Sequence, residues 1–157
     1  MVRLKLGMVG GGQGAFIGGV HRMAARLDGC FDLVAGAFSS DAVRAHASAA
    51  ELGIDVDRSY ADFNEMAKAE AARSDGIDAV SIVTPNHLHG PIAEAFLAYD
   101  ISVICDKPMT ATLAQAESLS AAAQASKGHF FLTHNYTGYP MIRQARQMVA
   151  EGALGEI

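Results

Sequence analysis

The stretch Leu4-Lys5-Leu6-Gly7-Met8-Val9-Gly10-Gly11-Gly12-Gln13-Gly14-Ala15-Phe16-Ile17-Gly18 constrains this chain more than any other. A short apolar run passes into a loop with five glycines, and Val20, Met23, Ala24 and Leu27 follow at helical spacing. Strand, glycine loop and helix, in that order, set bare backbone N–H groups at a helix N-terminus, where the helix dipole favours an anion. A Cβ on the loop would hold a diphosphate away, so glycine is needed where the chain turns and comes closest. Gly10-x-Gly12 supplies the first two positions of a dinucleotide fingerprint. The third, counted strictly, is Ala15; Gly18 is its rival in a loop three residues longer. A flexible glycine turn would look similar, but the place between an N-terminal strand and a helix favours nucleotide binding.

With 157 residues the chain fits one domain with a sizeable core. Half of its residues are hydrophobic and 18% are charged, which excludes a disordered chain. A net charge of −5 and no basic stripe argue against nucleic acid as a partner. No apolar run approaches a membrane span, and Met1-Val2-Arg3 leads straight into a strand, so a cytoplasmic protein is expected. Cys30 and Cys105 read as reduced core thiols.

Further along, strands are expected at 31–37, 78–83, 101–105 and 129–133, with a brief third strand at 57–60. Helices are expected at 20–27, 41–52, 61–72, 86–99, from Thr112 to 127, and at 140–151. Thr112 with Gln115 three residues on is a capping box. The strands are continuous apolar runs that alternate with helices. That pattern marks a parallel sheet covered on both faces. The expected fold is α/β, a doubly wound parallel sheet of order 3-2-1-4-5-6, with ligand at the carboxyl ends of the strands.

The polar clusters fall just after strands: Gly10–Gly14, Ser39-Ser40-Asp41, Thr84–His89, Asp106-Lys107-Pro108 and His134-Asn135-Tyr136. Five strand ends converging on one sheet edge would line one cleft. At the second strand's end an acid binds a ribose 2′-hydroxyl, whereas Ser or Arg admits a 2′-phosphate. Ser39, Ser40 and Arg44, with Asp41 slightly late, lean to NADP or to both cofactors; Ser39 as a simple helix cap is the competing reading. Lys107, at a strand end before Pro108, is placed to hold a substrate oxygen and move a proton, with an ordinary solvated charge as the competing reading. His87 and His89 have no cysteine or carboxylate beside them, so no metal site is expected, and helix capping or cofactor contact is the better reading. His21 reads as a packed or surface residue.

The glycine loop with His21 three beyond Gly18, then Thr84-Pro85-Asn86-x-x-His89, then Asp106-Lys107-Pro108, resembles the Gfo/Idh/MocA family over essentially the whole chain. The resemblance implies an NAD(P)-binding Rossmann domain followed by a second α/β domain. It implies hydride transfer between nicotinamide C4 and a hydroxyl carbon of a sugar, cyclitol or related polyol. Gly10, Gly12 and Gln13 match the phosphate loop. Thr84, Pro85, Asn86 and His89 match the segment bordering ribose and nicotinamide, and Lys107 the lysine of a Glu-Lys-Pro motif that touches the substrate oxygen. Asp106 stands where glutamate is usual, and its shorter side chain bears on the ribose contact.

Family chains are about twice this length. Residues 1–151 are therefore expected to form the dinucleotide-binding domain, and 152–157 to begin the crossing into a second domain. A chain of this extent would bind cofactor and turn over little substrate, and the whole protein would associate as a homo-oligomer. Two rival readings accompany this one: a non-catalytic dinucleotide-sensing module, and an NAD-dependent enzyme that cleaves glycosides through transient oxidation.

Overall fold

The computed structural model describes residues 2–156. Five parallel strands form one sheet in the order β2-β1-β3-β4-β5: β1 (Leu4–Gly10), β2 (Phe31–Ala37), β3 (Ala79–Val83), β4 (Ser102–Cys105) and β5 (Phe130–Leu132). Six helices accompany them: α1 (Phe16–Leu27), α2 (Ala42–Glu51), α3 (Phe63–Ala72), α4 (His89–Leu97), α5 (Leu113–Ala125) and α6 (Pro140–Ala150). The doubly wound Rossmann architecture is as expected.

One expected strand is nearly absent. Residues 57–60 give a 3₁₀ turn, Val56–Arg58, and a single parallel bridge between Gly36 and Ser59. That bridge sits on the outer edge of β2, through Gly36, so the order 3-2-1-4-5-6 survives with its third member reduced to one contact. The 3₁₀ turn and the Asp62 cap of α3 leave only residues 59–61 between them. The Arg58 side chain turns inward and forms a bidentate pair with Glu70 of α3, both residues being buried. Tyr60 Oη donates to the same carboxylate at 2.9 Å. Burial and this bond push the Tyr60 phenol up to about 12. This buried pair anchors the crossover to α3.

Alternation along the strands divides the core. Val9, Val80, Ile82, Val103 and Cys105 face α3, α4 and α5, where Met66, Phe96 and Leu119 pack. Met8 and Val83 face the other way, toward Phe38, Ala49, Ile54 and Ile17. Burial in the first layer pushes the Cys105 thiol up to about 12, whereas Cys30 is only half-buried, so just one of the two is a core thiol. The α1 face is thinly covered: Phe131 is exposed, and α6 buries no side chain. Among the described residues no helix is long and apolar enough to cross a membrane.

Side-chain caps set the starts of three helices. Asp41, Asp62 and Thr112 accept backbone N–H bonds at the heads of α2, α3 and α5. Ser39 is therefore not the cap of α2; its Oγ accepts from the Asp41 N–H at 3.1 Å. Gln115 closes its half of the box on Ala111 N rather than on Thr112.

Two outcomes follow from the buried groups. Glu70→Ala leaves buried Arg58 with only the long contact to half-exposed Asp75, 3.7 Å away, and should lower unfolding free energy by about 2–4 kcal/mol, read by urea denaturation. Thiol alkylation of the native chain should label Cys30 and leave Cys105 unmodified until denaturant is added.

Candidate dinucleotide site

β1 runs into the loop through Gly10 and Gly11, both with positive φ (80° and 72°), a turn that residues with side chains rarely make. The loop then folds under α1. A Cβ on Gly18 would lie 2.4 Å from Gly11 Cα and 2.7 Å from Gly11 O. Gly18 is thus the glycine at which helix and loop meet, and it is buried inside the first turn. Ala15 only precedes the helix as its N-cap residue. One turn on, Arg22 Nη1 donates to Gly11 O at 2.7 Å and fixes the loop from the helix side.

The head of α1 has no side-chain cap. It borders a hollow of about 210 Å³ lined by residues 11–16 together with Arg22, Ser48, Glu51 and Leu52. Unclaimed amides, dipole and glycine backbone together suit a diphosphate. Gln13 lies in this loop but is turned toward α2: its N–H donates to Ser48 Oγ at 3.0 Å, and its Nε2 to Glu51 at 3.0 Å. Ser48 in turn donates to Arg44 O.

At the end of β2, Asp41 Oδ1 is engaged by Arg44 N, so the acid nearest the expected ribose site already serves as a cap. Ser40 is exposed, and the Arg44 guanidinium has no ion-pair partner among the described residues.

After β3, Thr84 and Pro85 lead into a 3₁₀ turn, Asn86–Leu88, and then α4. His89 is neither a free wall residue nor the cap of α4. Its ring, 1% exposed, lies between two carbonyls: Nδ1 is 2.6 Å from Pro108 O and Nε2 is 2.9 Å from Thr84 O. It braces the loop after β3 against Lys107-Pro108 after β4. Thr84 Oγ1 is buried without a partner, beside Gly10. A buried hydroxyl left unpaired is costly, and a bound polar ligand would satisfy it.

Asp106, Lys107, Thr133, Asn135 and Tyr136 from the ends of β4 and β5 line a groove of about 540 Å³ on the α1 face, and His134 does not. His21 enters this groove from α1, with Nδ1 2.8 Å from Ser81 Oγ. The sequence reading had left His21 outside the site; its spacing from Gly18, one helical turn, is the signal that puts both on the loop side of α1. The five strand-end clusters do not line one cleft: those after β4 and β5 line this groove, residues 11–16 line the separate hollow at the head of α1, and 39–41 and 84–89 line neither. Among the described residues no cluster of three metal-ligating side chains exists.

Comparison with known proteins agrees with this geometry. Residues 4–134 match the model of the oxidoreductase family with an NAD-binding Rossmann fold, Gfo/Idh/MocA. The chain belongs to that family. An uncharacterized oxidoreductase, YfiI, of Bacillus subtilis is 39% identical over 98% of this chain and 39% of its own length. An oxidoreductase structure from Sinorhizobium meliloti is 58% identical with a TM-score of 0.90, covering 99% of this chain and 43% of that one. A structure of an inositol dehydrogenase homolog from Azotobacter vinelandii with NAD⁺ is 44% identical, TM-score 0.90, covering 99% and 40%. The chain therefore spans about two fifths of the length of these relatives. The cofactor class is NAD or NADP.

Gly18→Ala tests the loop. Its Cβ would collide with backbone rather than a flexible side chain, so the loop must shift. Calorimetric titration with NADH should show at least about tenfold weaker binding than wild type, a change of 1.4 kcal/mol.

Proposed function

We propose that this chain is the dinucleotide-binding part of an NAD(P)-dependent dehydrogenase acting on a sugar, cyclitol or related polyol. The observation that carries the reading is the meeting of Lys107 with the strand-end groups of one groove, next to an uncapped helix head framed by glycine. The loop amides at the head of α1 hold the diphosphate. Thr84 Oγ1, unpaired at the tip of β3, meets the ribose or carboxamide side of the cofactor. When bound, the nicotinamide supplies the hydride acceptor or donor. Lys107 Nζ holds the substrate oxygen and moves the proton of the hydroxyl. His89 keeps Lys107 in place from behind, through Pro108 O. Asp106, one methylene shorter than glutamate, is bonded to Thr133 Oγ1 at 3.1 Å, which draws it away from the ribose.

The end of β2 supports acceptance of NADP. Asp41 is occupied as a cap, and the guanidinium of Arg44 stands one turn into α2 without a carboxylate. A 2′-phosphate would gain that cation; a 2′-hydroxyl would not.

Side-by-side titration of the chain with NAD and NADP tests both statements. Binding of either supports the reading, and absence of both overturns it. Arg44→Ala should cost NADP about tenfold in affinity, near 1.4 kcal/mol, and NAD much less. Equal losses would remove Arg44 from cofactor choice.

A further inference from the structure

Behind Lys107, four polar side chains from four elements meet on the thinly covered face of the sheet. Ser81 is the one polar residue of β3, 1% exposed in a run of Ala, Val, Ile and Val, and its hydroxyl meets His21 Nδ1 at 2.8 Å. The other ring nitrogen, His21 Nε2, lies 3.9 Å from Asp106 Oδ1. That oxygen accepts from Thr133 Oγ1 at 3.1 Å. The His21 and Asp106 side chains are 11% and 15% exposed. Asp106 and Lys107 are neighbours of opposite charge at a strand end, yet they form no ion pair.

The ring fits its place in either protonation state. Neutral, with the proton on Nε2, it points N–H at the carboxylate and accepts from the Ser81 hydroxyl. Protonated, it donates to both. Burial pulls the His21 imidazole below its ordinary value, and the Asp106 carboxylate pushes it back up. Asp106 is the charged group facing the ring from β4. Lys107 lines the same groove, and Arg22 on α1 is turned to Gly11 O.

We propose that His21 is a positioning residue: held by Ser81, its ring keeps the Asp106 carboxylate against Thr133 and away from Lys107, so that the ammonium is left for the substrate oxygen. The role given to Lys107 rests on the function proposed above. The arrangement itself is readable without cofactor or turnover, so the two proposals fail separately.

The test is the acylation rate of Lys107 in the chain at fixed pH, followed by peptide mass spectrometry. In His21→Ala the released carboxylate pairs with Lys107 and slows acylation about two- to fivefold, the size expected of a solvent-accessible ion pair. Simple loosening of the fold would raise the rate instead, so the direction separates positioning from structural damage. His21→Gln, which keeps a donor near the Nε2 place, should restore most of the wild-type rate, and His21→Asn should not. Adding Asp106→Asn to His21→Ala should abolish the slowing. In a second measurement, histidine NMR should place the His21 titration lower in Asp106→Asn than in wild type, because the carboxylate is what raises it. An unchanged or faster rate in His21→Ala, or an unmoved His21 titration in Asp106→Asn, overturns the proposal.

Discussion

The site depends on one close approach, that of Gly18 in α1 to Gly11 in the loop. Two backbones meet where any side chain would separate them. The contact sets the angle at which α1 leaves the loop, and with it the direction of the first-turn amides. Arg22 secures the arrangement from one turn further along, by bonding the carbonyl of Gly11 itself. Everything the helix head can offer an anion follows from this packing. The left-handed turn at Gly10 and Gly11 only delivers the chain to it.

The strand tips are held by a second kind of device. Strands β3 and β4 end in loops that carry Thr84 and Lys107, and loops alone would leave these groups loosely placed. His89 ties the two loops together through their carbonyls, from a position sealed off from water. On the opposite face, Ser81, His21, Asp106 and Thr133 link β3, α1, β4 and β5. Rigid support from both faces is what a reaction sensitive to small displacements requires.

Much of this was legible in the sequence. Strands buried on both faces write themselves as apolar runs, and Ala79–Val83 is the clearest case. Strand ends were legible because prolines and polar clusters mark them. The reduction of the brief third strand to one bridge was not, since nothing in the sequence marks Val56–Arg58 as a 3₁₀ turn or Arg58 as buried against a carboxylate twelve residues away. The cap of α2 was left open for a local reason: Ser39 and Asp41 both suit the position, and only the backbone path decides for Asp41. His21 was missed because its partner, Ser81, lies sixty residues away on another element. Ser48 escaped notice in the same way, being one serine of an alanine-rich helix until Gln13 is laid beside it. The strand-end place of Lys107 before Pro108 suggested the role proposed for it, and the family resemblance sharpened it to contact with a substrate oxygen.

The stitching of Gln13 to Ser48 and Glu51 has a mechanical consequence. The phosphate loop and α2 are joined by two bonds, one of them to main chain, so neither swings without the other. The glycine turn and α2 then behave as a single lever. A spectroscopic label on α2, far from any redox chemistry, would report occupancy at the glycine turn.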